Sequence, residues 1–473
     1  MTVRRERGSK NVDLSRLFRP RACAVVGATS RAGRVGRIIF ETLLRSERPV
    51  YPVHPTEKSI LGHAVFKSVG DLPAGVDLAV IATGPENAVS AAEDCGHKGI
   101  PFIVPVAGGF SEAGPKGKAL EEALRRVGRK YGSRILGPNT LGVFAPKERI
   151  DTIFVEHGDR ALGQGGGVAF ISQSGSVGVE ALGIESNLGF GLRAFVGLGN
   201  KVDLDEVDFL DYFRGEASTT CVALYVESLT DGAAFLKSAR KVSAKKPIVA
   251  LKAGRTASAA AAVASHTGRL AGSDRAVDGA FRQHGIQRVY DEEQLCDAAR
   301  VLSIVPTPRG NSVAVISAAG GYAVMSTDEI EMPDNLVPLR MARLSRATMK
   351  HLETIAPPFS SVHNPVDLTT TATDDMVIDG LCAVLKDDGV DMVLCITMFA
   401  PPGITDGLIR RIAAVDNPAK KPVIVVCQFG PFTDGHIRRF YDLGIIGFPS
   451  VTRGVRALRW LEERRRILER LRA

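Results

Sequence analysis

Short β-branched runs alternate with amphipathic helical stretches along the whole chain, and this restricts it to parallel α/β sheets faced with helices. The first run, Ala22-Cys-Ala-Val-Val26, leads into Gly27. Val50-Tyr-Pro-Val53, Leu78-Ala-Val-Ile-Ala82 and Phe102-Ile-Val-Pro-Val106 follow at helix-length intervals. Two later blocks read as copies of one unit. Val168-Ala-Phe-Ile-Ser172 before Ser174-Gly175 is echoed by Val313-Ala-Val-Ile-Ser317 before Gly320-Gly321, and Lys245-Lys-Pro-Ile-Val-Ala250 by Lys420-Lys-Pro-Val-Ile-Val425. The breaks fall at Gly163-Gln-Gly-Gly-Gly167 and Pro306-Thr-Pro-Arg-Gly310, which predicts domains over 1–147, 160–306 and 307–473. Three domains suit 473 residues at about 150 residues each.

Composition narrows the partners. With 45% hydrophobic and 24% charged residues the chain has ample core for globular domains. A net charge of +8 suits a polyanionic ligand. Aromatics are only 6% and do not interleave with a basic stripe, so a nucleotide-like small molecule is expected rather than nucleic acid. The start, Met1-Thr-Val-Arg-Arg-Glu-Arg7, has no apolar segment, and no run reaches membrane-spanning length, so a cytoplasmic protein without a membrane partner is expected. Seven cysteines (23, 95, 221, 296, 382, 395 and 427) lack CxxC spacing and read as reduced core residues, with no metal site. The run Arg464-Arg-Arg-Ile-Leu-Glu-Arg-Leu-Arg472 reads as a solvated helix end, where cations are favourable.

Gly27-Ala-Thr-Ser-Arg-Ala-Gly33-Arg-Val-Gly36 follows the first predicted strand and opens a helix at Ile38. Glycines at such a turn let backbone N–H groups and a helix N-terminus receive a pyrophosphate. The spacing is not strict GxGxxG, so a tight turn without a ligand fits the same residues. The next strand discriminates between nucleotides. A nicotinamide site wants Asp or Glu at its end, near the ribose 2′-hydroxyl, and here it runs Val53-His54-Pro55-Thr56-Glu57-Lys58. That argues against a nicotinamide cofactor and allows a phosphorylated ribose, as in coenzyme A, with Arg31, Arg34 and Lys58 available to phosphates, although each fits plain surface charge equally well. A second small-residue turn, Gln173-Ser174-Gly175-Ser176, predicts a phosphate seat ahead of a helix beginning near Val177.

One histidine stands apart. Ser265-His266-Thr267-Gly268 reads as a Gly- and Ala-rich loop between a strand-like run ending at Gly254 and a helix opening at Gly272-Ser273-Asp274. Small neighbours let a backbone approach a phosphate, and imidazole accepts a phosphoryl group near neutral pH. An ordinary polar loop histidine fits the local sequence too, and the lead-in from Ala257 to Ala264 also suits a helix. The other repeat has Cys427-Gln-Phe-Gly-Pro431 at this place and no histidine, so one copy reads as chemical and the other as scaffold.

Further ordered motifs join these: Ala107-Gly-Gly-Phe-Ser-Glu112, Leu136-Gly-Pro-Asn139, Gly199-Asn-Lys-Val-Asp-Leu-Asp205, Tyr225-Val-Glu227, Gly254-Arg255-Thr256, Ala319-Gly-Gly321 and Asn364-Pro-Val-Asp367. With them, nearly the whole chain resembles the α subunit of ADP-forming acyl-CoA synthetases, the acetate–CoA ligase branch of the succinyl-CoA synthetase superfamily. The resemblance implies a Rossmann-like CoA-binding domain followed by two flavodoxin-like ligase domains. It implies that His266 is transiently phosphorylated, that Glu227 holds and stabilises it, and that Gln173, Ser174 and Gly175 seat phosphate. On the residues alone, Glu227 would be a solvated charge at a strand end. The CoA site would comprise Gly27, Thr29, Ser30, Arg31, Gly33, Gly36, Val53 and Lys58, with Gly109, Phe110, Asn139 and Thr140 beside the substrate. No Walker A motif or ATP-grasp span is left over, so the nucleotide site is expected on a partner chain, and the resemblance implies an ATP-grasp β subunit that holds ATP or ADP with Mg²⁺, in a heterotetramer.

Two departures bear on specificity: the family's Gly-Pro-Asn-Cys ends in Thr140 here, and its Asn-Pro-Lys after the second strand is His54-Pro55-Thr56. Two other functions stay open at this level. A CoA- or acyl-CoA-binding regulatory protein without turnover would incorporate no phosphate at His266. An NAD(P)-binding oxidoreductase would answer to titration with the reduced cofactor.

Overall fold

The apolar runs are buried because every central strand packs helices on both of its faces, so Cys23–Val26, Leu78–Ile81 and Val168–Ser172 carry no exposed residue. The structure, a computed structural model, describes residues 13–155, 165–188, 191–267, 273–332, 336–428 and 430–472, without the side chains of 185–188, 264–267 and 431. Among the described residues the strands form three principal sheets. The first is parallel, in the order Val50–Val53, Cys23–Val26, Leu78–Ile81, Phe102–Pro105, Arg134–Ile135. The second runs Ile286–Val289, Ile248–Lys252, Cys221–Val226, Val168–Ser172, Leu192–Gly197. The third runs Arg340–Met341, Ser312–Ser317, Met392–Thr397, Val423–Cys427, Ile446–Phe448, with Val366–Asp367 also on Ser312–Ser317.

Numbered within each sheet, and with the short Val366–Asp367 strand set aside, the parallel strands share one order, 2-1-3-4-5. In such a winding ligands gather beyond the carboxyl ends of strands 1 and 3, where the direction of winding reverses. The second and third sheets also repeat one detail. Ser172 Oγ donates to the carbonyl oxygen of Ser174 (2.6 Å), and Ser317 Oγ to that of Ala319 (2.7 Å). Ser172 faces Tyr225 across its sheet as Ser317 faces Ile396 across the other.

The second sheet is wider than its parallel strands. Val143–Ala145 and Ile150–Asp151 form a hairpin that adds antiparallel to Leu192–Gly197. Arg193, 2% exposed, ties that hairpin down through Glu148 at 2.8 and 3.0 Å. The chain divides into two compact units: one reaches Leu295 and contains the first two sheets, and the other begins at Cys296 and contains the third. Within the first unit one apolar core runs from Leu14 to Ile286 and unites both sheets. Six of the seven cysteines are buried and all are free. Among the described residues no helix is long and apolar enough to cross a membrane.

Candidate functional site

In the second sheet the ends of strands 1 and 3 enclose a cavity of about 420 Å³. One wall is the turn Gln173, Ser174, Gly175 and Ser176; another is Glu227 and Ser228. Asn139, Thr140 and Leu141 enter from the first sheet's last loop, and Val106, Phe154, Val155 and Val179 make the apolar side. The helix Gly175–Leu188 starts inside this cavity. Its first-turn N–H groups have no acceptor within the helix and favour an anion there.

Gln173 ties the two walls together. Its Oε1 accepts the N–H of Glu227 (3.0 Å) and of Ser228 (3.1 Å), while its Nε2 donates to Ser228 Oγ (3.2 Å). The backbone bend that carries Glu227 is consequently fixed, and the residue is 7% exposed. Burial, then the adjacent Glu227 carboxylate to which it hydrogen-bonds, pushes the Tyr225 phenol up to about 12. Lys252 ends the neighbouring strand, 5% exposed, and its ammonium is lowered mainly by burial, although Asp274 and Glu227 pull the other way.

A second cavity, about 430 Å³, opens at the switch point of the first sheet. Gly27, Thr29, Arg31, Arg34, Val35 and Gly36 line one side; His54, Thr56, Glu57 and Ala82 line the other. Gly27 is left-handed (φ +87°), and a Cβ at Gly36 would overlap the Gly27 carbonyl. Only glycine lets the helix Val35–Leu44 approach the turn so closely. Glu57 reaches back across the cavity: its carboxylate accepts Thr29 Oγ1 (2.7 Å) and the N–H of Ser30 (2.9 Å). The Thr29 hydrogen bond above all holds this carboxyl below its usual range. His54 Nδ1 in turn accepts the N–H of Glu57 (3.1 Å).

The backbone of His266 belongs to a helix, Ala257–Thr267, whose opening Thr256 Oγ1 caps by accepting the N–H of Ala259 (3.2 Å). The side chain of His266 lies outside the described residues. Both flanks of this segment rest on one strand end: the Arg255 guanidinium stacks over Tyr290 at 4.4 Å, and Asp274 pairs with Arg288.

Comparison with known proteins follows the same division. Residues 21–146 match the family model of a CoA binding domain, and residues 165–302 that of a succinyl-CoA ligase like flavodoxin domain. The α subunits of acetate–CoA ligases [ADP-forming] I and II of Pyrococcus furiosus are 36% and 34% identical to this chain. The first comparison covers 94% of this chain and 96% of that subunit, the second 88% and 90%. The chain belongs to the α-subunit family of ADP-forming acid–CoA ligases. A solved acetyl-coenzyme A synthetase of Ca. Korarchaeum cryptofilum, described as dinucleotide forming and in complex with phosphate and ADP, superimposes with a TM-score of 0.90. It is 34% identical, over 97% of this chain and 98% of its own.

In this acid–CoA ligase subunit most of the expected residues converge. Gln173, Ser174, Gly175, Asn139, Thr140 and Glu227 share one cavity, and Gly27, Thr29, Arg31 and Gly36 the other. Several expectations need correction. Glu227 is buried, not solvated, because the Gln173 network draws its strand end inward. His266 is on a helix rather than in a loop, since the alanine run has the strongest helix propensity available. Phe110 is fully buried in the core, and Gly109 donates its N–H to Glu112; Ser111, the next residue, lines the cavity instead. Val53 stays buried in its strand, Ser30 and Gly33 are outside the cavity lining, and exposed Lys58 is outside it too. A carboxylate does reach the turn, from Glu57 four residues past the strand end, but Thr29 and Ser30 already engage it. Thr140, in place of the family's cysteine, has its hydroxyl committed to the Gly197 carbonyl (2.5 Å) and the Gly142 N–H (2.9 Å). Among the described residues no group of three or more His, Cys, Asp or Glu is placed to hold a metal ion.

Proposed function

We propose that this chain is the α subunit of an enzyme that interconverts acyl-CoA, ADP and phosphate with a carboxylic acid, CoA and ATP, through an acyl phosphate and a phosphohistidine. One observation supports this most: the Gln173–Gly175 turn and the Glu227 carboxylate, distant in sequence, wall a single cavity. CoA occupies the cavity at Gly27–Gly36, where Arg31 and Arg34 meet its phosphates. The work divides over 1–147 for CoA, 160–306 for phosphoryl chemistry and 307–473 as scaffold.

Phosphate seated at Ser174 and Gly175 attacks the thioester carbonyl, a C–O bond forms, and the C–S bond breaks to release CoA thiolate. The donors of the turn and helix start stabilise the charge that develops. The phosphoryl group then passes to a nitrogen of His266; the P–N bond forms as the bond to the acyl oxygen breaks, freeing the carboxylate. That step needs a neutral imidazole, which Glu227 orients through the other nitrogen. ADP accepts the group last on an ATP-grasp β subunit in a heterotetramer, where Mg²⁺ would offset the charge of the nucleotide phosphates.

The test is to co-express the chain with an ATP-grasp partner and incubate it with labelled ATP and Mg²⁺. Acid-labile, base-stable label on the wild type and none on His266→Ala is the expected result. Label that survives His266→Ala overturns the assignment.

A further inference from the structure

The Gly199-Asn-Lys-Val-Asp-Leu-Asp205 motif has no part in the reaction just described, yet its lysine lies directly behind the phosphate seat. Lys201 is 1% exposed and held in the left-handed region at φ +56°, where side chains other than glycine's are rare. Its Nζ donates to the Ser228 carbonyl oxygen (2.5 Å) and to Gln173 Oε1 (3.2 Å). Glu206 Oε2, also 1% exposed, stands 3.2 Å away. Lys201 is absent from the cavity lining; it touches two residues that are part of it.

A buried ion pair is a poor way to hold a helix against a strand end, since apolar residues of similar volume do so at least as well. Glu206 is the first residue of the helix Glu206–Gly215, where the dipole favours a carboxylate, and among the described residues its oxygens accept no hydrogen bond. The pair is therefore asymmetric: the ammonium contacts the cavity walls, and its counter-charge stands behind it.

We infer that Lys201 is a positioning residue that locks Gln173 and the Glu227–Ser228 bend in place and sets a positive potential behind the bound phosphate. The inference rests on the proposed function, because it needs an anion at Ser174 and Gly175.

Steady-state kinetics of the α chain with its partner, phosphate varied against saturating acyl-CoA, test it on Glu206→Gln and on the double variant Lys201→Met/Glu206→Gln, with thermal unfolding measured alongside. The double variant removes both charges, so neither is left buried without the other. It is expected to raise the phosphate KM about tenfold and leave the acyl-CoA KM within about twofold. Glu206→Gln removes the carboxylate behind the ammonium and is expected to lower the phosphate KM, a direction that a purely structural role does not produce. Wild-type phosphate KM in both variants, or a rise in Glu206→Gln, overturns the inference. Should the double variant fail to fold, the direction seen in Glu206→Gln decides. A wild-type enzyme that turns over without phosphate overturns the proposed function as well, whereas normal wild-type kinetics with unmoved variants overturn this inference alone.

Discussion

Glu227 and Tyr225 lie at one strand end, and the phenol donates to the carboxylate proposed to orient His266. With its pKa raised to about 12, Tyr225 stays protonated far above neutrality, so its donated bond persists at every working pH. Tyr225→Phe should slow His266 phosphorylation about tenfold, by the same factor at about pH 6 and about pH 9. A dependence of that factor on pH would show that the phenol titrates after all. Glu227→Gln keeps the volume and loses the charge, and rapid-quench labelling should find phosphorylation slowed about 10²- to 10³-fold. Acid stability depends on another residue. Burial pulls the Glu216 carboxyl upward, but hydrogen bonds from Ser218 and Thr219 and the Arg193 guanidinium outweigh it and bring it from 4.5 to about 2. A folded-state value below the unfolded one means the stabilisation is complete above about pH 4.5 and is lost as pH falls toward about 2. It amounts to about 3 kcal/mol. The gap in unfolding midpoint between wild type and Glu216→Gln should therefore be wide at neutral pH and close below about pH 3; a gap constant with pH refutes the linkage.

At the scale of elements, the helix start at Gly36 illustrates a conflict between propensity and packing. Alanine is the better helix former, but a Cβ here would collide with the Gly27 carbonyl and force the helix off the turn. Gly36→Ala should cost about 1–3 kcal/mol and weaken CoA binding. Gly183→Ala, exposed in the helix Gly175–Leu188 with nothing near the added Cβ, should instead stabilise by about 0.5–1 kcal/mol. Differential scanning calorimetry of the two variants, with a CoA titration, separates the signs. The same contrast explains what was legible in advance. Strands such as Cys23–Val26, Val168–Ser172 and Ser312–Ser317 are continuous apolar runs between helices, and local composition suffices to find them. The hairpin Val143–Ala145/Ile150–Asp151 was not legible as part of the second sheet. Its partner strand is some fifty residues away, and nothing local records that pairing. Glu57 was missed for a related reason, since it reaches Thr29 only after His54 has turned the chain back. Nothing in the sequence singles out Lys201 or Lys252, because burial of a lysine has no signature in sequence.

Across the whole molecule the second and third sheets repeat one winding but do not repeat one chemistry. The shared register equates Gln173 with Ala318 and Glu227 with Met398. Both substitutions exchange a hydrogen-bonding group for an apolar one, so the third sheet lacks the amide that would bind the strand-3 bend and the carboxylate that would orient an imidazole. A histidine does lie near that place. His436 stacks on Phe399 with ring centroids 4.1 Å apart, and its Nε2 is 3.3 Å from Asp406 Oδ1. That pairing resembles an activated imidazole, but the positions equivalent to Gln173 and Ser174 are Ala318 and Ala319, which carry no polar side chain. The duplication should consequently yield one phosphoryl acceptor per chain. Labelling to saturation with ATP, Mg²⁺ and the partner subunit should plateau at a single phosphoryl group per α chain, unchanged in His436→Asn and abolished in His266→Ala. A plateau near two, halved by His436→Asn, would mean that the third sheet retains its own chemistry and that scaffold is the wrong description of it.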